Sequence, residues 1–264
     1  MNLEQLTHCP LCQSKALKDH LRTQDFSVSL ESFTIQQCLA CGLLITNPRP
    51  TTAELSRYYE SPEYISHNDG QNNLQDRVYR LIRSVSLKQK LRLIQRQNES
   101  STQNALDYGC GTGEFLLTLA QAGWKITGVE PNEQARTLAT NKTRQTIYDQ
   151  LSAIPSSQTY TLITLWHVLE HVLDLQNTFQ QLTQRLDEQG TLIIAVPTTN
   201  LWTLNTMATT GLPTICHDIS ITLAQRKSGN WLSNMAYKLP SKYQCFLTRT
   251  MSLCSANAIV VIHL

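Results

Sequence analysis

The stretch ALDYGCGTG, residues 105–113, limits what this chain can fold into more than any other. An apolar run ends in a carboxylate, Asp107, and passes into Gly109, Gly111 and Gly113 at alternate positions; the following TGEFLLTLAQAG reads as a helix start. Glycine lacks a Cβ, so such a loop tolerates positive φ and lets main-chain N–H groups come close to a bound molecule. A strand–turn–helix unit with a ligand against bare backbone is therefore expected. A second strand, WKITGVE, ends in Glu130, 23 residues after Asp107. That is where a nucleotide-binding βαβ unit places an acid to hold ribose hydroxyls. Asp107 precedes the first glycine, so the order is D-x-G-x-G-x-G and not the dinucleotide fingerprint, which points away from NAD.

Downstream, YTLITLWHVLEHVLDL (160–175) reads as a strand with its following loop, and GTLIIAVP (190–197) as a further strand. With these four segments in this order, the chain resembles the class I S-adenosylmethionine-dependent methyltransferases over roughly residues 5 to 200. The resemblance implies an α/β, doubly wound Rossmann-like sheet with S-adenosylmethionine as cofactor. It also implies roles. Asp107 orients the loop and accepts from the cofactor's amino group, Gly109, Gly111 and Gly113 form the floor, and Glu130 takes both ribose hydroxyls. Asp149, after QTIY, is an adenine-side acid or simply an exposed turn aspartate. Trp166 or His167 borders the cofactor. In the related sugar methyltransferases a Glu-His pair at this point is the candidate general base, here Glu170 and His171; the alternative is a helix-start carboxylate and a hydrogen-bonded histidine. His167, Glu170 and His171 also match H-x-x-E-H, the inverted zinc-peptidase motif, but they follow directly on an apolar strand and no third ligand is evident. The implied chemistry is in-line attack by a substrate oxygen, nitrogen or activated carbon on the sulfonium methyl. The protein then has to align the partners and, where needed, remove one proton.

Before the loop, Cys9 and Cys12 (HCPLC) and Cys38 and Cys41 (QCLACG) form two C-x-x-C pairs with 25 residues between them. Four thiolates on two tight knuckles suit a closed tetrahedral structural zinc site, and Gly42 helps the chain turn so that N–H groups face sulfur. Two redox pairs or unrelated core cysteines are the alternatives, and the spacing favours zinc. Many sugar and small-molecule methyltransferases that the chain resembles carry such a module. TNPRP (46–50) is expected to end the ribbon as an extended hinge. Over 73–98, Leu74, Val78, Leu81, Ile82, Val85, Leu91 and Ile94 recur at helical spacing among Arg and Lys. This predicts an amphipathic helix, and Tyr58, Tyr59 and Tyr64 before it are lid candidates. The expected domains are a zinc ribbon (1–50), a helical connector or lid (51–100), the S-adenosylmethionine-binding domain (101–200) and a tail (201–264).

A length of 264 residues with 41% hydrophobic residues and a net charge of +2 allows one sizeable domain with an appendage. No apolar run reaches the roughly 20 residues that span a bilayer, and residues 1–12 lack a signal-peptide pattern. A cytoplasmic protein without membrane partners is expected. Near-zero net charge gives no field to draw nucleic acid, so a small-molecule substrate such as a sugar or glycan precursor is favoured. An RNA methyltransferase or a zinc-ribbon nucleic-acid-binding module is the alternative. The sequence sets no oligomeric state.

The tail breaks character: residues 201–264 hold one acidic residue, Asp218, against 19 in the first 200, and three of the eight cysteines. Back-translated one base out of register, residues 201–211, 212–223 and 242–258 permit segments that the resembled family carries, among them D-x-P-R-H-x-x-H-F. A base lost near the codons for Asn200 and Leu201 would explain this. It would leave the sheet without strands 6 and 7, the fifth strand as an edge, the tail weakly ordered and the product unstable or catalytically poor.

Overall fold

The computed structural model describes residues 2–25, 29–51, 53–54, 74–97 and 102–199, with 222–224, 244–248, 251–252 and 255–263 beyond them. The chain forms two compact units from non-contiguous stretches: 1–64, 167–179 and 195–259 in the first, and 65–166, 180–194 and 260–264 in the second.

In the first unit, β1 (Leu3–Glu4) pairs antiparallel with β5 (Arg49–Pro50). Strands β2 (Leu17–Gln24), β3 (Ser32–Cys38) and β4 (Leu43–Thr46) make an antiparallel meander with Leu17 opposite Cys38 and Ile35 opposite Thr46. Alternation puts Phe33 and Ile35 on one face of β3, Ile35 packs with Leu44 and Leu21, and Leu43 and Ile45 are buried as well. The TNPRP stretch is not a free hinge. Arg49 is buried, donates from Nε to Glu4 Oε2 at 2.9 Å and from Nη1 to the Leu173 carbonyl at 3.1 Å, and so pins the chain where prolines alone suggested a joint.

Helix α1 (Leu74–Gln97) forms where helical spacing predicts it. The second unit then alternates strand and helix: β6 (Asn104–Tyr108), α2 (Glu114–Gln121), β7 (Lys125–Val129), α3 (Glu133–Thr143), β8 (Ile147–Tyr148) and β9 (Tyr160–Trp166). Helix α4 (Leu175–Gln184) leads into β10 (Leu186–Thr199). Strand β6 pairs parallel with β7 on one side and β9 on the other, with Asp107 opposite Gly128 and Thr164, and β8 extends the sheet beyond β7. Leu106, Leu162, Ile163 and Leu165 are fully buried, as expected for parallel strands covered on both faces. The order β10-β9-β6-β7-β8 makes the carboxyl end of β6 the place where successive connections leave in opposite directions, which is where open α/β sheets bind ligands.

Among the described residues four strands follow: β11 (Thr222–Ala224), β12 (Gln244–Thr248), β13 (Met251–Ser252) and β14 (Ser255–His263). β11 pairs parallel with the end of β10 and antiparallel with β4. β14 pairs with β10, β12 and β13. This corrects the expectation that strands 6 and 7 are missing and that the fifth strand of the core, β10, is left as an edge. The reason is local: 259–262 is a run of four β-branched residues, Val261 and Ile262 are fully buried, and Thr191 Oγ1 lies 3.1 Å from His263 Nδ1. Most of 201–264 lies outside the described residues, as do Tyr58, Tyr59 and Tyr64. Among the described residues, no helix is long and apolar enough to cross a membrane.

Candidate cofactor site and cysteine cluster

Gly109, Gly111 and Gly113 all have positive φ (75°, 54° and 78°), so the turn after β6 takes the left-handed path that the three glycines permit. The N–H groups, however, do not face outward. Those of Gly109 and Cys110 donate to the Val129 carbonyl at 2.8 and 3.0 Å, that of Gly111 to Glu130 Oε2 at 2.8 Å and that of Gly113 to the Cys110 carbonyl at 3.0 Å. The expectation of free backbone donors is thereby corrected: β7 ends beside the loop and its acceptors use the amides. A loop with the Gly109, Cys110, Gly111 and Gly113 amides engaged and carboxylates at two strand ends is less suited to a pyrophosphate than to a cation.

Asp107 is 2% exposed, and its Oδ1 accepts from Thr164 Oγ1 at 2.6 Å, across the register pair that joins β6 and β9. Burial pushes its pKa up to about 6; the Thr164 bond and the Lys90 ammonium oppose that rise and Glu130 adds to it. Glu130 sits at the end of β7. Its Oε1 accepts from the Asn132 amide at 3.0 Å while Oε2 holds Gly111, so both oxygens are oriented with lone pairs remaining. Burial also raises its pKa, with those two amides working against the rise. Arg136 Nη1 donates to the Glu130 and Pro131 carbonyls, and Asn132 Oδ1 accepts from Ala135 N at 3.0 Å as the N-cap of α3. Asp149 lies exposed just past β8, the neighbouring strand end.

Trp166 ends β9, and its indole Nε1 is buried without a hydrogen-bond partner. Lys90, Phe115, Thr164 and Gly128 join this site without a motif to announce them. Gly128 could have been suspected from its place inside a strand: a Cβ there would lie 2.6 Å from Leu116 Cδ1 and 2.9 Å from Cys110 Sγ. Lys90 is one of many basic residues on α1, and nothing in the sequence marks it.

In the first unit, His167 has φ of 57°, and its N–H donates to the Ala195 carbonyl at 2.9 Å. A non-glycine residue in that region carries strain of about 1–3 kcal/mol, which structures retain most often at functional sites. Glu170 is 3% exposed; its Oε1 is 3.6 Å from His167 Nδ1 and its Oε2 is buried without a partner. His171 donates its backbone N–H to the Val168 carbonyl. Leu169–His171 is a single 3-10 turn, not the α-helix that a zinc-peptidase motif needs to stack two histidines. Among the described residues, His167, Glu170 and His171 do not belong to any gathered set of metal-ligand atoms.

The cysteines do. Cys9, Cys12, Cys38 and Cys41 place their Sγ atoms within 4.8 Å of one another, with Cys9–Cys41 at 3.6 Å and Cys12–Cys38 at 3.5 Å. A Zn–S bond of about 2.3 Å requires a tetrahedral edge of about 3.8 Å, so the four sulfurs fit that ion. The two knuckles repeat one geometry. Gln13 and Gly42, each following its pair, have positive φ, and each donates N–H to the carbonyl of the pair's first cysteine at 2.9 and 2.8 Å. The Cys41 side chain holds the Cys9 thiol down at about 5, and backbone bonds from Leu11 and Cys12 act the same way. Burial raises the Cys12 thiol, and the Cys9 contact raises that of Cys41.

Residues 75–256 match the family profile described as a methyltransferase domain. The chain is 28% identical over 149 residues to the ubiquinone biosynthesis O-methyltransferase of Rickettsia typhi, covering 50% of this chain and 57% of that protein. It is 30% identical over 95 residues to an uncharacterized methyltransferase of Alkaliphilus oremlandii, covering 34% and 44%. It thus spans about half the length of the curated relatives it matches. In fold it is similar to the magnesium protoporphyrin IX methyltransferase of Synechocystis with bound S-adenosylhomocysteine, with a TM-score of 0.57 at 16% identity over 80% of this chain and 99% of that one. The plantazolicin methyltransferase BpumL gives 0.58 at 12% identity, over 80% and 94%. With the Rossmann-like sheet, the glycine turn and the profile match in agreement, the chain belongs to the methyltransferase domain family.

Proposed function

We propose that the chain transfers a methyl group from S-adenosylmethionine to a small molecule. The observation that carries this is the pair of buried strand-end carboxylates, Asp107 and Glu130, bracketing a glycine turn whose amides are already spent. The cofactor supplies an electrophilic methyl and its own leaving group. Asp107 accepts from its ammonium, Glu130 from the ribose hydroxyls, and Asp149 from the adenine edge; the free Trp166 N–H is a donor for a bound ligand. Trp166 or His167 borders the cofactor, and Glu170, with one carboxylate oxygen unpartnered, takes the acceptor's proton with His171 beside it in sequence. The ubiquinone biosynthesis and magnesium protoporphyrin IX relatives support a small-molecule acceptor. A sugar or glycan precursor is our reading for this chain.

The cysteine cluster, in this reading, holds one structural zinc, because four thiolates leave no open position for chemistry. The division into ribbon (1–50), connector (51–100) and cofactor domain (101–200) is functional, and the acid-poor tail is read out of frame; sequencing the gene decides the last point. The test of activity is incubation with methyl-labelled S-adenosylmethionine and fractionated small-molecule extract, nucleotide sugars, quinol precursors or RNA. Label in a small-molecule fraction is expected. Label in RNA alone, with retention on an RNA column that falls steeply with salt, would establish the nucleic-acid reading instead.

A further inference from the structure

Lys90 lies on α1 with its ammonium 4.4 Å from the centroid of the Trp166 ring and 5.4 Å from that of Phe115. The two rings meet edge to face, with centroids 5.4 Å apart at 79°. Asp107 attracts the same ammonium, as the opposite pulls of each group on the other require. Lysine heads ordinarily reach for water, and this one is desolvated enough that burial lowers its pKa despite the carboxylate. Two aromatic rings at one charge, with a buried carboxylate near enough to attract it, make a seat for a cation. The cofactor proposed above has an ammonium and a sulfonium, and Asp107 is the group assigned to the former.

We propose that Lys90 is an internal stand-in for the cofactor's positive charge: its ammonium fills the seat formed by Phe115, Trp166 and Asp107 and must leave when the cofactor enters. This rests on the cofactor reading. The exchange replaces one cation by another, so Asp107 is never buried without a counter-charge, which would otherwise cost more than the seat returns. Because either nucleoside must displace the same ammonium, Lys90 lowers the affinity for S-adenosylmethionine and S-adenosylhomocysteine by the same factor, and its return to the seat favours release of whichever is bound.

Titration calorimetry on the full chain tests this with both nucleosides against the wild type, Lys90→Met and Lys90→Arg. Lys90→Met is expected to bind S-adenosylhomocysteine and S-adenosylmethionine each about tenfold more tightly, and Lys90→Arg to stay near the wild type. Unchanged or weaker product binding in Lys90→Met overturns the proposal, weaker binding meaning that Lys90 grips the cofactor's carboxylate. If the wild type and both variants bind neither nucleoside, the cofactor reading itself fails. Reductive methylation of the wild type, read by peptide mass, is the companion measurement and needs no variant to fold. Saturating S-adenosylhomocysteine should increase labelling at Lys90 as the side chain is driven out, and a decrease contradicts the proposal.

Discussion

The cysteine ribbon and the glycine-turn sheet solve the same problem by opposite means. In the sheet, β6 and β9 bury Leu106, Leu162, Ile163 and Leu165 completely, and this apolar mass tolerates an ionisable group as buried as Asp107. In the ribbon, Phe33, Ile35, Leu43, Leu44 and Ile45 are buried on two short strands, with Ile35 packed against Leu44 and Leu21. Beside them, four sulfurs are drawn together on two matching knuckles. The contrast teaches what backbone geometry serves in each region: turns that gather thiols in the ribbon, and amides that orient a buried carboxylate in the sheet.

Breaking the ribbon should give the largest effect. Structural zinc in small modules contributes ~10–16 kcal/mol at pH 7, so with the zinc proposed above, chelation or Cys38→Ser should abolish hydrogen-exchange protection over β2–β4 while amides of β6 and β7 stay protected. Retained protection in the ribbon would mean that its apolar core suffices. Next is the sheet. Leu106→Ala removes a fully buried side chain and should lower unfolding free energy by about 2–5 kcal/mol in denaturant titration, without affecting metal content. Gly128→Ala should cost about 1–3 kcal/mol, since the added Cβ meets Leu116 and Cys110 inside van der Waals distance.

Charge sharpens the comparison further. Asp107 has a pKa raised from 3.8 to about 6, so the folded state binds a proton more readily than the unfolded chain. Its burial cost is therefore present above about pH 6 and is relieved as pH falls from there toward 3.8. Cation binding has the opposite requirement, an ionised Asp107. Affinity for S-adenosylmethionine should fall as pH drops below about 6, and Asp107→Asn should bind weakly with that step removed. A pH-independent wild type would count against the assignment. The smallest effect belongs to the cap of α3: Asn132→Ala should cost about 1 kcal/mol by thermal melting.

Most of the sheet was legible because its signals are local. The glycine turn, the strand-end carboxylates and the C-x-x-C pairs each sit within a few residues, and each lies where its spacing suggested. What escaped was set by tertiary packing. That the loop amides turn toward Val129 and Glu130 depends on β7 lying beside β6, which no residue of the loop encodes. Lys90 enters through a helix far away in sequence. Strand β14 is hard to read from sequence because the change in composition after Pro197 hides the short β-branched run at 259–262.

The central claim is that Asp107 and Glu130 together hold one sulfonium nucleoside. Equilibrium dialysis of labelled S-adenosylmethionine against the full chain, Glu130→Ala and Asp107→Asn tests it most directly. The account predicts saturable one-to-one binding to the wild type and at least tenfold weaker binding to each variant, the order expected for losing a charged hydrogen-bond partner. No binding to a folded wild type, or equal binding to all three, would contradict it.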